Sequence, residues 1–149
     1  THMVVAQYFR DTRTPERFAQ YVARSRFLRD INNEGAAKNA SYKEGLQRLE
    51  QFVMVRFSHD TTVLPPESAW FGARSVPEDG RPARSVPLRE SDVYVRDWLG
   101  LAALDRRGAL RFHTCDGTHM QLSPACKDLI FGQYVGRPRS PGRWLAMNA

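Results

Sequence analysis

Phe52-Val53-Met54-Val55-Arg56-Phe57-Ser58-His59-Asp60 is the stretch on which the fold turns. Its first six residues are aromatic and β-branched with almost no alternation, the pattern of a strand covered on both faces. The run passes straight into a polar end, Ser58-His59-Asp60. Downstream, Ala109-Leu110-Arg111-Phe112-His113 reads as a second strand that leads into Cys115-Asp116-Gly117-Thr118-His119. Between the two, from Ser91, the spacing is helical. Trp98, Leu101 and Leu104 form its apolar side, and Arg106-Arg107-Gly108 its close. Those cations suit the negative end of the helix dipole, and glycine tolerates the left-handed cap. A strand–helix–strand crossover favours parallel pairing. Parallel strands finish on one edge, where open α/β sheets place their chemistry. Asp60 and His119 each fall just beyond a candidate strand.

Outward from this unit, Thr14-Pro15-Glu16 opens a helix, with Thr14 as cap and Pro15 at the first position. Phe18, Tyr21, Val22 and Leu28 continue one face of it until Asn32-Asn33-Glu34-Gly35. Ser41-Tyr42-Lys43-Glu44 has the spacing of a capping box ahead of Leu46 and Leu49. Residues 61–90 hold five of the nine prolines and read as a long surface excursion. Arg-Ser-Val-Pro occurs twice within it, too few copies for a repeat fold. Ser123-Pro124 opens a last helix with Cys126, Leu129, Ile130 and Tyr134 inward, followed from Gly136 by a tail rich in Arg, Pro and Gly.

At 149 residues the chain has the length of one ordinary domain. A compact fold of that size hides roughly 70% of the surface of the unfolded chain and needs no staples. Apolar residues at 42% argue against wholesale disorder. No run approaches the ~18 apolar residues of a membrane span, and no signal-peptide core opens the sequence. Lys and Arg number 22 against 16 Asp and Glu, for a net charge of +6. Nineteen of those cations are Arg, which suits phosphate, yet they are dispersed and no nucleic-acid-binding motif is present. A solvated arginine-rich surface is the favoured reading, and no nucleic-acid partner is expected.

An Asp and a His at neighbouring strand ends are two parts of a nucleophilic triad. The third part is missing: there is no G-x-S-x-G, and none of the nine serines lies on a glycine-flanked strand-to-helix elbow. In the α/β-hydrolase order the serine precedes the acid, so a nucleophile is expected upstream of Thr1. Cys115, His119 and Cys126 form the competing constellation, C-x3-H-x6-C, which is one ligand short of a structural zinc site. For the cysteines, a bridge stays open, and two buried thiols are favoured.

Several segments, in order, resemble the C-terminal half of the palmitoyl-protein thioesterases. They include Ala6-Gln7-Tyr8-Phe9-Arg10-Asp11, Phe27-Leu28-Arg29-Asp30-Ile31-Asn32 and Asn39-Ala40-Ser41-Tyr42-Lys43. Further on they include residues 52–57, Asp60-Thr61-Thr62-Val63 and Ser68-Ala69-Trp70-Phe71-Gly72, then Pro87-Leu88-Arg89-Glu90 and Leu99-Gly100-Leu101. The last is Gly117-Thr118-His119-Met120-Gln121-Leu122-Ser123.

That resemblance implies an α/β fold, the C-terminal part of an α/β-hydrolase with parallel strands and crossover helices. It implies a serine hydrolase that removes long-chain fatty acyl groups from cysteine thioesters, with Asp60 as triad acid and His119 as triad histidine. Residues 1–50 then match the later part of a helical acyl-binding insertion, 51–135 the C-terminal half of the core, and 136–149 a tail foreign to the family. Met3, Val4, Phe9, Thr62 and Val63 match acyl-groove positions. No cofactor and no metal is expected. The partners implied are an N-terminal half of the same fold or another subunit, and an S-acylated protein or fatty acyl chain. A lysosomal or secretory setting follows from the family, and the sequon Asn39-Ala40-Ser41 is compatible with it. Two departures stand beside the key positions: Thr118 replaces an acidic residue, and His59 replaces an asparagine. They, with the missing serine and the basic tail, motivate the alternative of an inactive thioesterase-derived structural subunit in a larger intracellular or organellar assembly.

Overall fold

The computed structural model describes residues 8–78 and 80–135. It is a mixed α/β arrangement built on two parallel strands, β1 (Phe52–Phe57) and β4 (Leu110–Cys115). Their register runs from Phe52 opposite Leu110 to Phe57 opposite Cys115. The first strand matches its sequence expectation, and the second begins one residue later and reaches Cys115.

Alternate residues of this pair feed two different cores, which is why β1 shows so little alternation. Met54 and Leu110 are buried with Leu88, Leu99, Leu101 and Leu104. Phe57 and Cys115 are buried with Cys126, against Val55, Leu122 and Ile130. The first core is roofed by α4 (Asp92–Val95) and α5 (Leu101–Arg106), the second by α6 (Pro124–Tyr134). Leu101 and Leu104 are fully buried and fix α5 on the sheet. At the far end of α5, Gly108 N–H donates to Asp105 O and Ala109 N–H to Leu104 O, with Gly108 at φ 67°. This is the Schellman closure expected of Arg106-Arg107-Gly108, and it turns the chain directly into β4.

Three local expectations change. The helix opened by Thr14 does not run to Leu28. It stops as α1 (Pro15–Arg24), with the Thr14 side chain accepting from Arg17 N–H as expected, and a separate turn α2 (Leu28–Ile31) follows. Ser25 is extended and buried at the break. At the break the Ser25 hydroxyl accepts from Arg29 N–H at 3.4 Å and Arg29 Nη1 donates back to Val22 O at 3.2 Å, while Tyr21 OH donates to Glu34 Oε2 at 2.5 Å and Arg10 Nε to Glu34 Oε1 at 2.7 Å. Helix α3 (Ala40–Gln47) is capped by Asn39, not Ser41. The Asn39 carboxamide oxygen accepts from both the amide and the hydroxyl of Ser41, so the capping box does not form. The helix from Ser91 is divided at Asp97 and Gly100, both left-handed. A Cβ on Gly100 would sit 2.6 Å from the Gln47 side chain, so both the backbone and the close approach of α3 require glycine.

The excursion over 61–90 is shaped by a 3-10 turn (Pro66–Trp70), a short antiparallel pair β2 (Ala73–Arg74) and β3 (Ser85–Val86), and a second 3-10 turn (Leu88–Glu90). Trp70 anchors it by donating Nε1–H to Met54 O at 3.2 Å, with its ring edge-on to Phe112. No helix among the described residues is long and apolar enough to cross a membrane.

Candidate active site

The parallel ladder does not stop where the strands do. Ser58 N–H donates to Cys115 O at 2.9 Å and His59 N–H to Gly117 O at 3.0 Å, which carries the two loops forward side by side. Asp60 and His119 meet at that shared edge, with His119 Nδ1 2.9 Å from Asp60 Oδ2. The Asp60 side chain is only 6% exposed and the imidazole is 39% exposed. The other carboxylate oxygen, Oδ1, accepts from Thr62 N–H at 2.8 Å and Val63 N–H at 2.9 Å. These bonds, the one to His119 foremost, hold the Asp60 carboxyl below its ordinary pKa. An ionised, oriented carboxylate on Nδ1 fixes the imidazole with Nε2 as the free acceptor, which is the form a general base requires.

The loop that carries His119 is tightly made. Gly117 sits at φ 142°, and a Cβ there would lie 2.9 Å from Gln121 O. Met120 adopts φ 60°. Gln121 Oε1 accepts from the amide and the hydroxyl of Thr118, each at 3.2 Å, while Gln121 N–H donates to Thr118 O. The substituted Thr118 thus has a local task, and the loop closes without an acidic residue at that position.

The structure overturns the favoured reading of the cysteines. Cys115 and Cys126 are joined as a disulfide, with Cα atoms 5.5 Å apart, and both are buried. The bond links the end of β4 to the first turn of α6 and removes both thiols from any three-ligand zinc set.

The groove positions fare unevenly. Thr62 is exposed and Val63 half-buried, and both act on Asp60 through backbone amides. Phe9 is exposed and lies under the Arg13 guanidinium, 5.6 Å from its carbon. Met3 and Val4 lie outside the described residues, as does the tail from Gly136. A cavity of about 370 Å3 opens elsewhere, between Trp70, Leu88, Arg89 and Phe112, and neither Thr62 nor Val63 lines it. His113, half-buried, bonds Tyr134 OH at 2.8 Å across to α6.

Two residues of the site were not singled out from sequence. Ser58 bridges the loops through its hydroxyl, and Gln121 clamps the histidine turn. For Gln121 a signal existed: Thr118-x-x-Gln121 has the spacing at which an amide side chain reaches back to a backbone donor. Ser58 carries no such local pattern, because its partners are far along the chain.

The family described as palmitoyl protein thioesterase matches residues 1–119. Palmitoyl-protein thioesterase 3 of Dictyostelium discoideum is 44% identical over 77% of this chain and 38% of its own length. Palmitoyl-protein thioesterase 1 of Caenorhabditis elegans is 39% identical over 80% of this chain and 38% of its own. The lysosomal thioesterase PPT2-B of Xenopus laevis is 29% identical over 88% of the chain and 43% of its own length. The chain therefore spans well under half the length of these curated relatives.

Proposed function

The chain belongs to the palmitoyl-protein thioesterase family, and on that premise we propose that it supplies the acid and the imidazole of a fatty acyl thioester hydrolase. The observation that carries the reading is the 2.9 Å contact of His119 Nδ1 with Asp60 Oδ2 at one edge of a parallel strand pair. In this reading residues 51–135 are the C-terminal half of an α/β-hydrolase core, and residues 1–50 belong to a helical insertion that holds the acyl chain. The nucleophilic serine comes from polypeptide outside these 149 residues, on a G-x-S-x-G elbow that this sequence does not contain.

The chemistry is acyl transfer in two steps. The serine oxygen attacks the thioester carbonyl while His119 Nε2 takes its proton, and the protonated imidazole then delivers that proton to the departing cysteine sulfur. Water repeats the sequence on the acyl-enzyme and releases the fatty acid. Asp60 stabilises the imidazolium at each stage, and the two backbone amides on its second oxygen keep it from turning away. An apolar groove to which Met3, Val4, Phe9, Thr62 and Val63 contribute would gain about 0.8 kcal/mol per buried methylene. A lysosomal or secretory setting is supported by relatives called lysosomal thioesterases and by the oxidised Cys115–Cys126 pair.

The test joins the chain to an N-terminal half that carries the serine and follows hydrolysis of an S-palmitoyl substrate. Asp60→Asn should lower kcat on the order of 10^4-fold and His119→Ala on the order of 10^6-fold. Hydrolysis that survives both substitutions removes the assignment. A serine-directed fluorophosphonate separates it from the alternative of an inactive structural subunit, which predicts no labelling.

A further inference from the structure

The two loops that bring Asp60 and His119 together are tied to each other by one small side chain. Ser58 Oγ donates to Asp116 Oδ1 at 2.7 Å, accepts from Gly117 N–H at 3.2 Å, and lies 3.0 Å from His59 Nδ1. Its own backbone N–H continues the ladder to Cys115 O. One hydroxyl therefore grips the β4 side at two consecutive residues, at the point where regular strand pairing ends. His59 adds a looser contact to Asp116 Oδ1 at 3.4 Å. Beyond Gly117 the chain enters the turn that presents His119, which reaches back to the β1 side through the Asp60–His119 bond.

We propose that Ser58 is a positioning residue for the acid–imidazole pair, setting the separation of the two loops so that His119 Nδ1 reaches Asp60. The proposal rests on the thioester-hydrolase reading for its consequence in catalysis, and on the hydrogen bonds alone for its geometry. The position of the grip decides its effect. Gly117 tolerates conformations that other residues do not; Ser58 Oγ holds its N–H and His59 N–H holds its carbonyl, so losing the Ser58 hydroxyl leaves the glycine tied on one side only. A shift of about 1 Å there is passed to His119 two residues on, and displacement on that scale can cost on the order of a hundredfold in rate. Ser58 itself touches no reacting atom in this arrangement, because its hydroxyl is engaged with Asp116 and Gly117.

The experiment uses the whole 149-residue chain, 15N-labelled, as parent, Ser58→Ala and Ser58→Thr. Long-range 1H–15N spectra on the carbon-bound ring protons of His119 report its tautomer at about pH 8.5, above the ordinary histidine range. His119→Asn assigns the signals. The parent and Ser58→Thr should show the Nδ1–H tautomer that Asp60 enforces, and Ser58→Ala a mixture of both tautomers. In the serine-completed enzyme, Ser58→Ala should lower kcat on the order of a hundredfold at unchanged KM, and Ser58→Thr should restore it. A Ser58→Ala chain with the parent tautomer overturns the proposal, as does an unchanged kcat in the completed enzyme. If Asp60→Asn and His119→Ala leave hydrolysis intact, the hydrolase reading falls, while the tautomer still decides whether Ser58 positions the pair.

Discussion

Asp60 illustrates how a carboxylate becomes a fixed part rather than a floating charge. Its two oxygens accept three hydrogen bonds, two from the amides of Thr62 and Val63 and one from an imidazole brought from 59 residues away. Because these favour the ionised form, the folded pKa lies below the ordinary aspartate value of about 3.9. The sign of the linkage follows. The stabilisation is present above the unfolded pKa and is lost progressively as pH falls from there through the folded one. A carbon-detected titration of the Asp60 carboxyl should show a midpoint below that of an exposed aspartate, moving back up in His119→Ala. Asp105 follows the same logic elsewhere. It is held down first by Arg89, which donates through Nε at 2.7 Å, and then by Tyr94 OH at 2.7 Å.

Among the elements, β1 was legible residue by residue, because a strand packed on both faces shows a nearly continuous apolar run, broken here only by Arg56. The crossover and the parallel direction followed from the helix between the strands. What the sequence concealed was settled by distant partners. Helix α1 ends early where the Ser25 hydroxyl accepts from Arg29 N–H and the Arg29 guanidinium takes the Val22 carbonyl, and no periodicity announces those ties. At α3, Ser41 and Glu44 have the spacing of a cap, but Asn39 two residues earlier competes for the same amide and wins. This is testable. Asn39→Ala should cost about 1 kcal/mol in denaturant unfolding, and Ser41→Ala, which removes one exposed hydroxyl bond to Asn39 and leaves the backbone cap in place, clearly less. In α5 the cost is of another kind. Leu104 has no exposed surface, so Leu104→Ala should lose roughly 3–4 kcal/mol by the same measurement.

For the molecule as a whole, two cores share one pair of strands, and the site lies where those strands end. Arginine, which dominates the charge, is spent largely on internal ties. Arg10, Arg56, Arg84 and Arg89 each pair with a carboxylate, and Arg56 also lies 4.0 Å over the Trp70 ring. The smaller core is closed by the disulfide. Its loop spans 11 residues, and the chain-entropy model assigns such a closure about 3 kcal/mol. Cys115→Ser with Cys126→Ser should therefore lower Tm by roughly 10 °C in a thermal melt. The sequence left this pairing open because spacing alone says nothing about whether two Cα atoms come within reach.

The same bridge has a consequence for how the molecule breaks. Every residue of the histidine turn lies between the two sulfurs. A protease that cuts one peptide bond there leaves both products attached. The nicked protein migrates as a single band until a reducing agent divides it, so damage at the histidine turn stays hidden on an ordinary non-reducing gel.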